Sequence, residues 1–201
     1  MKRLGCILLL SLALSACLTA GKRGGDSGLA IFDLGPTVDR ELPVRSSPMA
    51  IEVRAPIWFD TLGIDYRLGY ADPTRLREYA RARWAGPPAQ LIQQRLARAL
   101  GLIAVGQGRA ACVLRVEIDE FSQVFDTPQQ SRALLQGRVV WLDRSRAVLD
   151  SMTVTIERPA STADSQGGVL ALRAAVDDLI NRVSAHEAAL TAGGQLAPCQ
   201  R

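Results

Sequence analysis

The first seventeen residues constrain this chain more than any other stretch. Lys2 and Arg3 give it a positive start, and Leu4 to Leu14 follow as an apolar run too short to cross a bilayer. Leu14-Ser15-Ala16-Cys17 then closes the run with small residues leading into a cysteine. A basic, apolar, small-residue order is that of a secretory signal and not of a membrane helix. Whatever folds must therefore lie beyond it.

Because the series ends on a cysteine, it resembles a bacterial lipoprotein signal, in which Cys17 is acylated and becomes the first residue of the mature chain. The plainer alternative is a secreted protein cut near Ala20. One fatty chain holds a protein only marginally, whereas two hold it firmly, so an acylated Cys17 implies a stable tether. Leu18 follows the cysteine. In enterobacteria an Asp there retains lipoproteins at the inner membrane, so Leu18 favours lipid anchoring at the periplasmic face of the outer membrane. Residues 1–16 read as the signal peptide and 17–28 as a lipidated, Gly-rich tether, leaving one folded domain over 29–201.

The 185 residues beyond the signal suffice for one domain with a real core. The formal charge of +4 shrinks once Lys2 and Arg3 are removed, to 22 cations against 20 acids. After Lys22 every cation is Arg, interspersed with acids, so no nucleic-acid-binding patch is expected. With Cys6 discarded and Cys17 lipidated, Cys112 and Cys199 remain. In an oxidising compartment they favour a disulfide closing a loop of nearly ninety residues. The alternative is two free thiols, Cys112 in the core and Cys199 in a frayed tail. Two cysteines and one histidine make a metal site an unpromising reading.

Leu29 to Leu34 reads as a strand ended by Gly35-Pro36, and Met49 to Val53 as a second. Ala55-Pro56 breaks the pattern before Ile57-Trp58-Phe59, and Ile64 to Tyr70 forms another short strand. Asp72-Pro73 has the form of a helix start, Asp as N-cap and Pro at the first position, predicting a helix to about Trp84. Gly86-Pro87-Pro88 opens another helix, with Ala89, Ile92, Leu96, Ala99 and Ile103 at helical spacing. Cys112, Leu114, Val116 and Ile118 alternate with polar residues as a half-buried strand whose phase breaks at Glu120-Phe121, predicting a bulge. Ala133 to Trp141 and Val148 to Ile156 pair as a hairpin about Asp143 to Arg146. A final helix spans about Val169 to Leu190. The fold class is α+β, one domain with a mainly antiparallel sheet packed against two or three helices.

Catalytic chemistry is not evident. His186 is the only histidine and falls in the polar part of the last helix. Gly106-Gln107-Gly108 imitates a dinucleotide fingerprint but follows a helix and precedes a strand, the reverse of what a pyrophosphate site needs, so it reads as a turn. Asp177 and Asp178 point about 100° apart on a helix and cannot share a proton, so they read as solvated. Asp119-Glu120 reads as strand surface. The chain is thus expected to be non-enzymatic, without catalytic residues, cofactor or metal. Residues 57 to 84 instead mix Trp58, Phe59, Tyr66, Tyr70, Tyr79 and Trp84 with Arg67, Arg75, Arg77, Arg81 and Arg83, pairs enriched at protein interfaces. Most of these rings read as core. Trp58 and Phe59, beside Pro56 in a loop, are the candidate exposed partner contacts.

At these residues the chain resembles the auxiliary lipoproteins of ABC-type transport systems, the paraquat-inducible C-like group. The resemblance rests on Phe32-Asp33-Leu34-Gly35, Val53-Arg54-Ala55-Pro56-Ile57-Trp58-Phe59, Ile64-Asp65-Tyr66-Arg67-Leu68, Tyr70-Ala71-Asp72-Pro73 and Arg83-Trp84-Ala85-Gly86-Pro87-Pro88. Cys112 to Val116 and Glu120 to Phe125 extend it, over about residues 29 to 190. It implies a lipid-anchored, non-enzymatic component of an envelope transport system for phospholipid or another hydrophobic cargo. The implied partners are an ABC permease and ATPase, which would bind the ATP, and a substrate-binding protein of the mammalian-cell-entry type. Assembly as a homo-oligomer stays open. Two other readings remain: a lipoprotein that binds a hydrophobic ligand in its own pocket, and a cell-wall enzyme, which would need a nucleophile and base that the sequence does not cluster.

Overall fold

The computed structural model describes residues 28–36 and 45–200. Cys17 and the tether before Gly28 lie outside the described residues. Eight strands form one mixed sheet: β1 (Ala30–Phe32), β2 (Met49–Arg54), β3 (Gly63–Leu68), β4 (Asp72–Trp84), β5 (Ile103–Ala104), β6 (Cys112–Thr127), β7 (Gln130–Asp143) and β8 (Val148–Pro159). Two helices, α1 (Pro88–Leu100) and α2 (Ser165–Ala192), cover one face of it. The long ladders β6–β7 and β7–β8 are antiparallel, as is β3–β4, while β1–β4, β2–β5, β2–β6 and β3–β6 run parallel. The α+β expectation holds, with more parallel pairing than the sequence pattern indicates.

β6 organises the sheet. One of its edges is paired along its length by β7, and the other is shared by β2 against residues 112–117 and β3 against residues 123–125. The register slips between Ile118 and Glu120, at the predicted break in phase. Gly137 faces that slip, and a side chain there would lie 2.1 Å from the Glu117 carbonyl oxygen. Only glycine permits so close a backbone approach at a bulge.

The helices follow from their caps and apolar stripes. α1 begins at Pro88, where the missing N–H costs nothing, and ends at Gly101 in the left-handed conformation (φ 64°), its N–H donating to the Ala97 carbonyl. In α2 the Asp164 carboxylate accepts from the Gly167 N–H at 2.8 Å, a bond that holds this carboxyl below its usual range. Val169, Leu172, Val176, Leu179, Ile180 and Val183 are buried against β6, β7 and β8. Trp84, Phe121, Leu114 and Trp141 supply much of the sheet's contribution to the same core. The opposite face is largely polar, apart from a small cluster of Ala50, Val113, Val140 and Leu142.

The predicted helix over Asp72 to Trp84 is instead strand β4. Asp72 does accept from the Thr74 N–H and hydroxyl, at 3.1 and 2.7 Å, but this closes an Asx turn at the β3–β4 hairpin and caps no helix. Beyond it Arg81-Ala82-Arg83-Trp84 alternates outward and inward, the period of a strand. Pairing with β3 and β1 on both sides stabilises the extended form.

Two long-range ties close the domain. Arg95, buried in α1, bonds Asp177 of α2 and donates to the carbonyls of Leu34, Gly35 and Pro36. Cys112 at the start of β6 is disulfide-bonded to Cys199, in a 3-10 turn at Ala197–Gln200, across 87 residues of sequence. The bridge is thus the one favoured by the cysteine count. Asp177 and Asp178, read as solvated, are paired with Arg95 and Arg158. Replacing both bridged cysteines by Ser should lower unfolding stability by about 4 kcal/mol on the chain-entropy estimate. Urea unfolding with and without reductant measures this, and identical curves would contradict the tie.

Candidate docking surface

Because β2 and β3 share one edge of β6, residues 55–62 must leave the sheet between them. They do so as two successive turns: the Phe59 N–H donates to the Pro56 carbonyl at 2.8 Å and the Asp60 N–H to Ile57 at 3.3 Å. Ile57 and Trp58 lie at the tip, 83% and 62% exposed, while Phe59 is turned inward and buried. The two rings predicted as exposed contacts therefore separate. Trp58 is available to a partner, whereas Phe59 is a packing residue, because the turn that displays one ring tucks in the next. Of the remaining rings, Trp84 is buried, Tyr66 and Tyr79 are half-buried with centroids 4.7 Å apart, and Tyr70 is exposed.

The loop returns to the sheet at Leu62, whose carbonyl accepts from the Trp84 N–H of β4 at 2.8 Å. On the other side of β4, Ile31 and Phe32 of β1 pair with Arg83 and Trp84. Leu29, Ile31, Ile57, Trp58 and Leu62, all exposed, thus belong to the region where β1, the end of β4 and the β2–β3 loop meet. Grouped exposed apolar side chains of this size mark interaction surfaces.

A polar cluster lies on the sheet face away from the helices. Asp65 of β3 pairs in register with Glu78 of β4, so both project from one face. Arg67, two residues along, holds Glu120 of β6 through two bonds of 3.0 and 2.9 Å. Asp65 is buried, and its Oδ1 has no hydrogen-bond partner among the described residues. Burial first, and then the charges of Glu78 and Glu120, push its carboxyl up to about 7 against the opposing pull of Arg67. Farther along the face, burial pushes Glu52 upward, but the hydrogen bond and charge of Arg115, with Arg54 and Arg146 beside it, hold it below its ordinary value.

Ile64-Asp65-Tyr66-Arg67-Leu68 alternates apolar and polar, which indicates solvated polar residues. The burial of Asp65 depends on neighbouring strands that the alternation does not reveal. His186 has a partner that sequence reasoning missed: its Nε2 lies 2.7 Å from the Asp150 carboxylate, and its ring stands 5.0 Å from Trp141. Gly106 and Gly108 both have positive φ, in the turn expected there. Among the described residues no group of three His, Cys, Asp or Glu side chains is placed to hold a metal. The cleft beside the disulfide is lined by Arg45, Ser46, Glu187 and Gln200 as well as Met49 and Leu196, a more polar lining than a lipid tail would select.

The family of ABC-type transport auxiliary lipoprotein components matches residues 36–184, from just after β1 through most of α2. The chain belongs to this family. No curated protein matches it. Among solved structures, the fold is similar to the crystal structure of a Xanthomonas campestris protein of family DUF330, with a TM-score of 0.65 and 20% identity. That match covers 77% of this chain and 92% of the other. A crystal structure of an uncharacterized protein is similar at a TM-score of 0.62 and 13% identity, covering 79% and 98%. At these identities the two structures support the fold of this transport-auxiliary lipoprotein and nothing finer.

The buried acid gives a pH signature. Asp65 holds its proton in the folded state up to about 7, whereas an ordinary Asp releases it near 3.8. Between these values the native state binds more protons than the unfolded one, so stability falls as pH rises. Wild type should lose on the order of 3 kcal/mol across that window. The Asp65→Asn variant should lose much less, as read from denaturant midpoints at a series of pH values.

Proposed function

We propose that this chain is a lipid-anchored, non-enzymatic adaptor that docks the periplasmic part of an ABC-type phospholipid or mammalian-cell-entry transport system at the outer membrane. The family match over residues 36–184 carries the transport-associated role. In the full reading residues 1–16 are the signal, Cys17 is the acylated anchor, residues 17–28 are the tether and residues 29–201 form the docking domain. The partners are the substrate-binding protein of the mammalian-cell-entry type and, through it, the permease and the ATPase that binds nucleotide.

Within the domain, Trp58 is the partner contact. A tryptophan on a turn tied by two backbone hydrogen bonds offers a large apolar surface with little conformational entropy to lose on binding. The mixed lining of the cleft beside the disulfide supports docking over the alternative of a hydrophobic ligand held in this chain's own pocket.

Trp58→Ala should abolish co-purification with the transporter components and leave unfolding stability within about 0.5 kcal/mol of wild type. Phe59→Ala should instead cost about 3 kcal/mol, as loss of a buried ring does. Full retention of the partners by the Trp58 variant would refute the assignment.

A further inference from the structure

We propose that Leu29, just before β1, and Ile31 of β1, together with Arg81 and Arg83 of β4, form a second membrane contact that seats the folded body on the anionic lipid surface of the bilayer holding Cys17. The inference rests on the lipid-anchored reading of Cys17 and adds to it a face of the domain that no family resemblance specifies.

Ladder geometry places these four side chains together. Ile31 pairs in register with Arg83 and Ala30 with Ala82, so Ile31 and Arg83 project from one face with Arg81 two residues back along β4, and Leu29 immediately precedes the paired residues. That face points away from the helices, because the intervening Ala82 and Trp84 are buried in the core and Phe32 packs against it. Leu29 and Ile31 are 47% and 58% exposed, and Arg81 and Arg83 are exposed as well. β1 is an edge strand, paired only with β4 among the described residues. An apolar edge left open to water is a liability that proteins ordinarily cover.

Charge and chain position identify what covers it. Several arginines elsewhere on this face pair with acids, Arg67 with Glu120, Arg115 with Glu52 and Arg132 with Asp126, while Arg138 donates, among the described residues, only to the Ser151 hydroxyl. Arg81 and Arg83 have no acidic partner among the described residues. Guanidinium groups with no acidic partner among the described residues, beside Leu and Ile, match a surface that presents phosphate above hydrocarbon. The anchor supplies that surface at short range. Cys17 is eleven residues before Gly28, a reach of at most about 40 Å when fully extended. The chain then enters the fold at Leu29, the first residue of the strip, so this is the first part of the body that the anchor brings to the bilayer.

The test uses the full-length acylated protein, reconstituted into phosphatidylcholine vesicles with or without phosphatidylglycerol and with brominated acyl chains. Ile31→Trp in a Trp58→Phe background places a reporter on the strip, since Trp84 and Trp141 are both buried. The account expects this reporter to be quenched by brominated lipid beyond the Trp58→Phe parent, more strongly with phosphatidylglycerol and less at high salt. Adding Arg81→Gln and Arg83→Gln should lower the ratio of seated to lifted bodies about five-fold for each arginine, without changing flotation with the vesicles. Protein that floats while the reporter stays unquenched would overturn the strip and leave the anchor standing. Protein that fails to float would overturn both. A reporter quenched by no lipid but shielded when the transporter's periplasmic component is added would make the strip a protein interface, and would also overturn the proposal.

Discussion

The fold depends on the mismatch between the two edges of β6. β7 accompanies this sixteen-residue strand along its length, but on the other edge two six-residue strands, β2 and β3, must share it. Backbone N–H and C=O groups must find partners, so the chain leaves β6 after Arg54, passes the bulge and returns at Tyr66. The excursion forces residues 55–62 into tight turns, and the turns decide which side chains face outward. Display of Trp58 is thus a consequence of ladder register. The same register brings Leu62 to the end of β4, where β1 pairs on the other side, and so builds the apolar corner.

Much of the fold was legible in the sequence because its signals were local. Pro87-Pro88 and Gly101 bracket α1, the stripe from Val169 to Val183 defines the face of α2, and the phase break at Glu120 marks the bulge. Cysteine bookkeeping led to the Cys112–Cys199 bridge because compartment and count left few choices. β4 shows where local signals mislead. Asp72-Pro73 opens an Asx turn and a helix cap with the same chemistry, and only the availability of β1 and β3 as ladder partners selects the strand. Phe59 and Asp65 were illegible for a related reason. The burial of Asp65 is set by neighbouring strands and that of Phe59 by the turn it closes, and no spacing along the chain encodes either.

The two faces of the sheet divide the labour. The helix-covered face carries the core and the long-range ties, with Arg95 fastening residues 34–36 to both helices. On the other face acids and arginines pair across strands, from Glu52 with Arg115 to Glu120 with Arg67. On this surface the corner of β1, β4 and the β2–β3 loop combines exposed apolar side chains with Arg81 and Arg83, which lack acidic partners among the described residues. An apolar corner on a rigid sheet edge suits an adaptor, which must hold two surfaces in fixed relation.

The adaptor account requires that the domain be fixed to a membrane through Cys17, which precedes the residues 36–184 that match the auxiliary lipoprotein family. Intact mass spectrometry of the protein purified from envelopes of its native cell tests this most directly. The account predicts a mature chain lacking residues 1–16, with a mass excess of a diacylglyceryl group and fatty acyl chains at Cys17 and none elsewhere. A chain beginning at Met1, or one cut near Ala20 and free of lipid, would contradict it.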